Sequence, residues 1–524
     1  MSDKNQGKNK FSLVLVLIQK SSIRKPLTLL TLFFILGLAY GLTLAPGLTW
    51  ANNGADGGDL ITAAATNGVA HPSGYPLYLL LAELFQRIPV GTLAFRTNIM
   101  SAIFTMMAAA LIFLFLEQWL DSSLSALVSA LAFGLSPLVW SQAVITEVYA
   151  LHALLTTGII CVFLAPVRKP LLYLGQGILF GLAVGNHLTT LLLSPLVLLI
   201  QLEDKEGDRI PQDVLRKIIL PIAFRFLGVL IGLLVYVVLP LRASAWPPVN
   251  WGNPVTLDSF FWLVSAQIYQ EFALSLSVLE TIQRFQGLAG LLFHQFTFIG
   301  LILGLYGLFS NTSSAARLST IWVFVSFNLF AIFYAYADSF VYVIPASISF
   351  SMWIGIGLHD LLAVVSSRRN RIRSALLLAL LAGIIVRSLW ILPEVDASKD
   401  QRAEIFGEKL LASAPKDAIV VTDTDEETFA LWYFHYALRQ RPDLMVISEG
   451  LLQFDWYYQT LQETYPGLVI PEYESFTTAQ EVVDANPSNP VCFATYQGVD
   501  VLVCDETILS DSDATYHDSL SIIP

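Results

Sequence analysis

Apolar runs long enough to cross a bilayer, which takes about 20 residues, fill the first three quarters of the chain. They are Leu27–Ala45, Thr97–Trp119, Ser123–Trp140, Ala143–Pro166, Ile218–Pro240, Leu288–Phe309, Leu318–Tyr336, Val341–Val364 and Ser374–Leu392. Leu171–Leu202 is too long for one crossing and is interrupted by Gly185-Asn186-His187, so it reads as two short spans meeting in a turn. About eleven membrane helices are predicted. Leu77–Ile88 is different: amphipathic and bounded by prolines, it is expected to lie in the interface.

Beyond about Pro393 the apolar runs shorten and short strand-like and helix-like segments alternate. Ala418–Thr422, Asp443–Ile447, Val491–Thr495 and Val499–Cys504 read as strands, with helices over Glu427–Leu438 and around Leu452–Glu463. The predicted fold is a mainly α polytopic membrane protein with a small C-terminal α/β domain. Its divisions are an N-terminal arm at 1–26, a transmembrane domain at 27–392 with a first outer loop at 46–96, and a soluble domain at 393–524.

Composition agrees with this class. Of 524 residues 55% are hydrophobic and 13% charged, against roughly a quarter charged in soluble domains. The net charge of -12 comes from acids crowded near the C-terminus, and no basic patch argues for nucleic acid. The N-terminus does not read as a cleavable signal peptide. Of Cys161, Cys492 and Cys504, only the last two could pair, because Cys161 lies in an apolar run.

Sidedness follows from Lys and Arg, which gather in short cytoplasmic loops. The arm carries Lys4, Lys8, Lys10, Lys20, Arg24 and Lys25. Later cytoplasmic loops carry Arg168-Lys169, then Lys205, Arg209, Arg216 and Lys217, then Arg317, then Arg368, Arg369, Arg371 and Arg373. The expected location is the plasma (inner) membrane of the cell, with the N-terminus cytoplasmic. The Asp56 loop, the Asn186-His187 turn, the Leu241–Gly287 loop, the Asp338 turn and the C-terminal domain then face outward.

Candidate chemistry gathers on that outer side. Asp56 and Asp59 stand three apart in a Gly-rich turn, a spacing that puts both carboxylates on one side of an incipient helix. Such a pair can supply a general base and its orienting partner, or ligands for a divalent cation. Alternatively, Asp59 caps the helix that follows and Asp56 is merely solvated. His71-Pro-Ser-Gly-Tyr-Pro76 reads as a rigid turn presenting one imidazole, a candidate for donor-phosphate or substrate binding. Glu147, Tyr149, Asn186, His187 and Asp338 are candidate substrate-binding residues, since ionisable groups at membrane depth usually line a cavity. Arg242 is a candidate for a phosphate, which a guanidinium grips bidentately. Arg225 and Arg387 read as structural. The carboxylates of Asp423-Thr-Asp-Glu-Glu427 are expected to cap a helix. No P-loop, GxGxxG, CxxC pair or HExxH motif occurs, so nucleotide-driven chemistry has no support.

Asp56-x-Gly-Asp59-Leu-Ile-x-Ala-Ala through Gly68-Val-Ala-His71-Pro-x-Gly-Tyr-Pro-Leu resembles the first outer loop of the transmembrane protein O-mannosyltransferase family. Further matches are Trp140 to Leu151 around Glu147-Val-Tyr149, Gly185-Asn186-His187-Leu-Thr, Leu239-Pro-Leu-Arg242-Ala, Asn250-Trp251-Gly-Asn-Pro254, and Tyr334 to Pro345 around Asp338. Ala418-Ile-Val-Val-Thr-Asp423, Leu431-Trp-Tyr433 and Arg441-Pro-Asp443 are similar to the soluble tail of bacterial members. The resemblance implies a GT-C-like bundle, a polyprenyl-phosphate-sugar donor, a protein or glycan acceptor outside the cytoplasm and inversion at the anomeric carbon. It also implies an essential outer-loop carboxylate, matched here by Asp56. Asp59 stands where Glu is usual, and Ser73 replaces a proline. The resulting expectation is an inverting glycosyltransferase, with Asp56 as base and Asp59 orienting it or a divalent cation. A polytopic transporter or lipid flippase is the competing expectation.

Overall fold

The computed structural model describes residues 24–165, 169–199, 219–310, 312–336, 338–366, 370–471, 478–496 and 501–504. Residues 1–23 of the arm, Arg168, the Lys205–Lys217 loop and Arg368-Arg369, all used in the sidedness argument, lie outside them, as do Val499 and Asp500.

The protein is mostly helical, as a chain of such apolar runs must be when its backbone polar groups have no water to bond. Among the described residues, six helices can cross a membrane by length and composition: Lys25–Thr43, Leu93–Leu120, Leu220–Ala243, Val278–Leu308, Ser314–Phe333 and Ser339–Val365. A seventh is a bent pair, Ser123–Gly134 with Pro137–Ala143, turned by 69°. The sequence suggested a span over Ser123–Trp140 there. Pro137 offers no N–H to the preceding turn, and the ladder breaks. Shorter apolar helices, Tyr149–Leu164, Pro170–Val184 and Leu188–Val197, fill other predicted spans. Gly185-Asn186-His187 forms the expected turn between the last two. Pro76–Gln86 is a helix over most of Leu77–Ile88.

Close backbone contact holds neighbouring helices together, the usual solution where lipid tails remove the hydrophobic incentive to associate. A Cβ on Gly177 would lie 2.0 Å from the Arg225 carbonyl oxygen, and one on Gly307 1.9 Å from that of Trp353. Arg225 and Arg387 serve the frame. Arg225 donates to Gln176 Oε1 and the Val197 carbonyl, Arg387 to the carbonyls of Leu135, His294 and Gln295.

The C-terminal region carries a four-stranded sheet: β1 Ile419–Thr422, β2 Met445–Ser448, β3 Val491–Ala494 and β4 Leu502–Val503. Its order is β2-β1-β3-β4. β1 runs parallel to β2 and β3, and β3 antiparallel to β4. β1 is buried at all four positions, which accounts for its unbroken Ile-Val-Val run. Cys492 and Cys504 form a disulfide. This region is fastened to the helical frame, since Asp400 accepts from Thr49 Oγ1 (2.7 Å) and the Trp50 N–H (2.9 Å), and Ala397 N–H donates to the Thr43 carbonyl.

Candidate active site

One end of the helical frame gathers the first loop, the Gly185–His187 turn, residues 249–251, Asp338 and the C-terminal region. Leu77 N–H donates to the Gly185 carbonyl, Val69 N–H to Val249, and Asn53 Nδ2 to Asp338 Oδ1 at 2.7 Å. Within this end the two aspartates diverge. Asp59, in the first turn of the Gly57–Ala65 helix, has no exposed surface. Its Oδ2 accepts from the His71 backbone N–H (3.0 Å) and lies 2.7 Å from His71 Nδ1, while its Oδ1 accepts from Trp251 Nε1 (3.1 Å). Asp56 precedes the same helix but makes no capping bond. Its side chain is 42% exposed, and its Oδ2 lies 3.6 Å from His71 Nε2. Asp59 therefore orients His71 rather than Asp56.

The His71 turn is rigid. Gly74, at φ +83°, takes a left-handed conformation suited to glycine, and its N–H donates to the His71 carbonyl at 2.8 Å. Burial alone would discharge the imidazole. The facing Asp56 carboxylate and the Asp59 bond outweigh that, and His71 is pushed up to about 9. Burial pushes Asp56 above the usual carboxylate range, His71 opposes this, and the side chain's exposure tempers the burial effect. Burial and Asp56 likewise raise Asp338. Asp425, at the start of the Asp425–Trp432 helix, is pushed up to about 7 by burial and by Asp56.

The remaining sequence candidates divide. Glu147 is buried, accepting from the Val148 N–H at 3.3 Å. Asn186 is fully buried, donates to the Val148 carbonyl, and its Oδ1 has no partner among the described residues. Rings connect His71 to Tyr75 (5.0 Å between centroids), Tyr75 to His187 (6.2 Å), and His187 to Tyr149 (5.8 Å) and Tyr342 (5.5 Å). Tyr342 contacts Phe330 and Tyr334, which line an apolar groove of about 360 Å³ with Leu192, Trp322 and Leu329.

Arg242 Nη2 is 3.0 Å from Glu83 Oε2 and its Nη1 donates to the Gly68 carbonyl, so in this structure the guanidinium braces the Pro76–Gln86 helix. Both Asp59 oxygens already accept N–H donors. Among the described residues, no three His, Cys, Asp or Glu side chains could jointly hold a metal ion.

Sequence reasoning missed the roles of Trp251 and Asp425. Nothing local in the sequence announces the first, since Trp251 meets Asp59 192 positions away. The acidic run did signal the second. It is Glu427 that shares a capping box with Thr424, and Asp425 is left exposed, within electrostatic reach of Asp56.

Residues 56–208 match the model of the protein O-mannosyl-transferase TMEM260 N-terminal domain, and residues 403–479 that of TMEM260-associated domain 2. The chain is 26% identical to the protein O-mannosyl-transferase TMEM260 of Mus musculus, covering 90% of this chain and 70% of that one. It is 22% identical to the Dictyostelium discoideum protein of the same name, covering 87% of this chain and 61% of that one. A crystal structure of ArnT from Cupriavidus metallidurans bound to undecaprenyl phosphate superposes with a TM-score of 0.55 at 12% identity, over 89% of this chain and 92% of that one. The apo form gives 0.55 at 13% identity, over 90% and 94%. The chain is thus a multi-pass membrane protein that shares the fold of ArnT and is similar over most of its length to proteins named protein O-mannosyl-transferases.

Proposed function

We propose that the protein is an inverting glycosyltransferase that moves a mannose-like sugar from a polyprenyl-phosphate donor to a hydroxyl of a protein or glycan outside the cytoplasm. The observation that carries this reading is the pairing of an accessible Asp56 carboxylate with a buried, proton-holding His71 at 3.6 Å. A base needs both access to its proton and a reason to stay ionised, and the imidazolium supplies the second. In the reaction the acceptor oxygen attacks the anomeric carbon while its proton passes to Asp56. The bond from that carbon to the phosphate oxygen breaks on the opposite face, and the electron pair leaves with the polyprenyl phosphate. Asp56 then returns its proton to water.

The donor reading draws support from the ArnT neighbour with undecaprenyl phosphate bound and from the apolar groove beyond Tyr342, which suits an isoprenoid tail. Glu147, Tyr149, Asn186 and His187 are assigned to the sugar and its route, Asp338 to the acceptor side. The protein is read as lying in the plasma membrane, with the N-terminal arm (1–26) cytoplasmic, the bundle spanning 27–392 with its first outer loop at 46–96, and residues 393–524 outside.

The test is transfer of labelled mannose from polyprenyl-phosphate-mannose by the purified protein in nanodiscs. Asp56→Asn should lower kcat roughly 10²–10⁴-fold without loss of folded protein. Undiminished transfer in that variant removes Asp56 from the chemistry.

A further inference from the structure

Trp251 has three relationships that no other residue of the site combines. Its indole N–H donates to the fully buried Asp59, completing that carboxylate's set of donors. Its backbone joins the first loop: Val69 pairs with Asn250 as an isolated parallel bridge, and the Trp251 N–H donates to the Val69 carbonyl at 3.3 Å, two residues before His71. Its ring, only 5% exposed, is walled by the C-terminal region, with centroids 5.5 Å from Trp456, 6.2 Å from Trp432 and 6.3 Å from Phe429.

Phe429 also lies nearly parallel to the His71 ring, at 6.5 Å and 14°. The approach of that helix to the first loop is equally close. A Cβ on Gly58 would meet the Phe429 carbonyl oxygen at 2.4 Å. The C-terminal region thus covers both Trp251 and His71.

We infer that Trp251 is a positioning residue, clamped by Phe429, Trp432 and Trp456, that holds Asp59 in register with His71 and so makes the C-terminal region part of the catalytic apparatus. The inference rests on the reading of Asp56 and His71 as the reacting pair. A buried carboxylate that keeps three N–H donors has one orientation available. With the Trp251 donor removed it shifts toward the partner it keeps, and its pull on the imidazolium grows. Small displacements of that kind are costly where a base must meet its proton at hydrogen-bond distance.

The experiment compares full-length wild type, Trp251→Phe and Trp456→Phe in nanodiscs. Initial rates with polyprenyl-phosphate-mannose are measured as a function of pH, alongside Asp56→Asn as reference. Trp251→Phe retains an aromatic ring but drops the indole N–H. Its kcat should fall about tenfold, its KM for the donor should change less than twofold, and the alkaline limb governed by His71 should move to higher pH. Trp456→Phe leaves the N–H in place and loosens its seat, so the same limb should move the same way by less. An unmoved or lowered limb in Trp251→Phe overturns the inference. If Trp251→Phe does not accumulate as folded protein, Trp456→Phe decides by the same criterion. An Asp56→Asn enzyme that retains full activity overturns the underlying reading instead, and is thereby distinguished from failure of the positioning role alone.

Discussion

The helical walls and the end that closes them are held together by opposite means. In the walls, helices meet backbone to backbone, as at Gly177 against Arg225 and Gly307 against Trp353, and apolar side chains face the bilayer. At the closed end, polar groups are taken out of water and must find partners there: Asp59 with His71 and Trp251, Arg242 with Glu83, Asn53 with Asp338. Packing errors in the first region should cost stability alone. Errors in the second should separate into those that cost stability, those that cost chemistry and those that cost both.

The largest effect is expected from Asp59→Ala, which strands three N–H groups in the interior. Removing one partner of such a buried network costs roughly 3–5 kcal/mol, read as a lowered Tm with transfer abolished, whereas Asp56→Asn should abolish transfer at unchanged Tm. If both variants keep wild-type Tm, Asp59 is not the structural member of the pair.

Next comes pH. His71 is raised from 6.5 to about 9, so its contribution is fully present below pH 6.5 and is lost as pH rises through about 9, a total of roughly 3 kcal/mol. Wild-type thermal stability should decline across that window, and His71→Gln should show no such decline. A fourth variant, Gly307→Ala, probes the walls. Overpacking should cost about 1–3 kcal/mol while the surviving folded enzyme keeps its kcat. The smallest effect belongs to Arg242→Gln, whose partner Glu83 is 24% exposed. A loss of about 1 kcal/mol and a donor KM within twofold of wild type are expected; a tenfold rise in KM would show the arginine reaching phosphate after all.

What the sequence revealed follows the same divide. Membrane helices announce themselves through local hydropathy, the Gly185-Asn186-His187 turn through a polar interruption, and β1 through a run of β-branched residues, all within a few positions of the feature. The break after Gly134 was legible too, since Pro137 marks it, but an apolar run read by length alone conceals it. Partner choice at the closed end was not legible. Asp59 and Trp251 are 192 residues apart, Arg242 and Glu83 159, and no spacing rule links them. Reading Asp56 and Asp59 as a matched pair assumed that equal chemistry three residues apart implies equal surroundings. Burial gives one a structural duty and leaves the other accessible.

The contact between Leu77 and Gly185 also constrains parity. Two loops that touch at the same end of a bundle must be joined by an even number of crossings. Between them lie Leu93–Leu120, the bent pair Ser123–Ala143, Tyr149–Leu164 and Pro170–Val184. Counted as one passage the bent pair makes the number even; counted as two it would send every later loop to the wrong face. A fold in one helix thus decides which compartment all the downstream segments can meet.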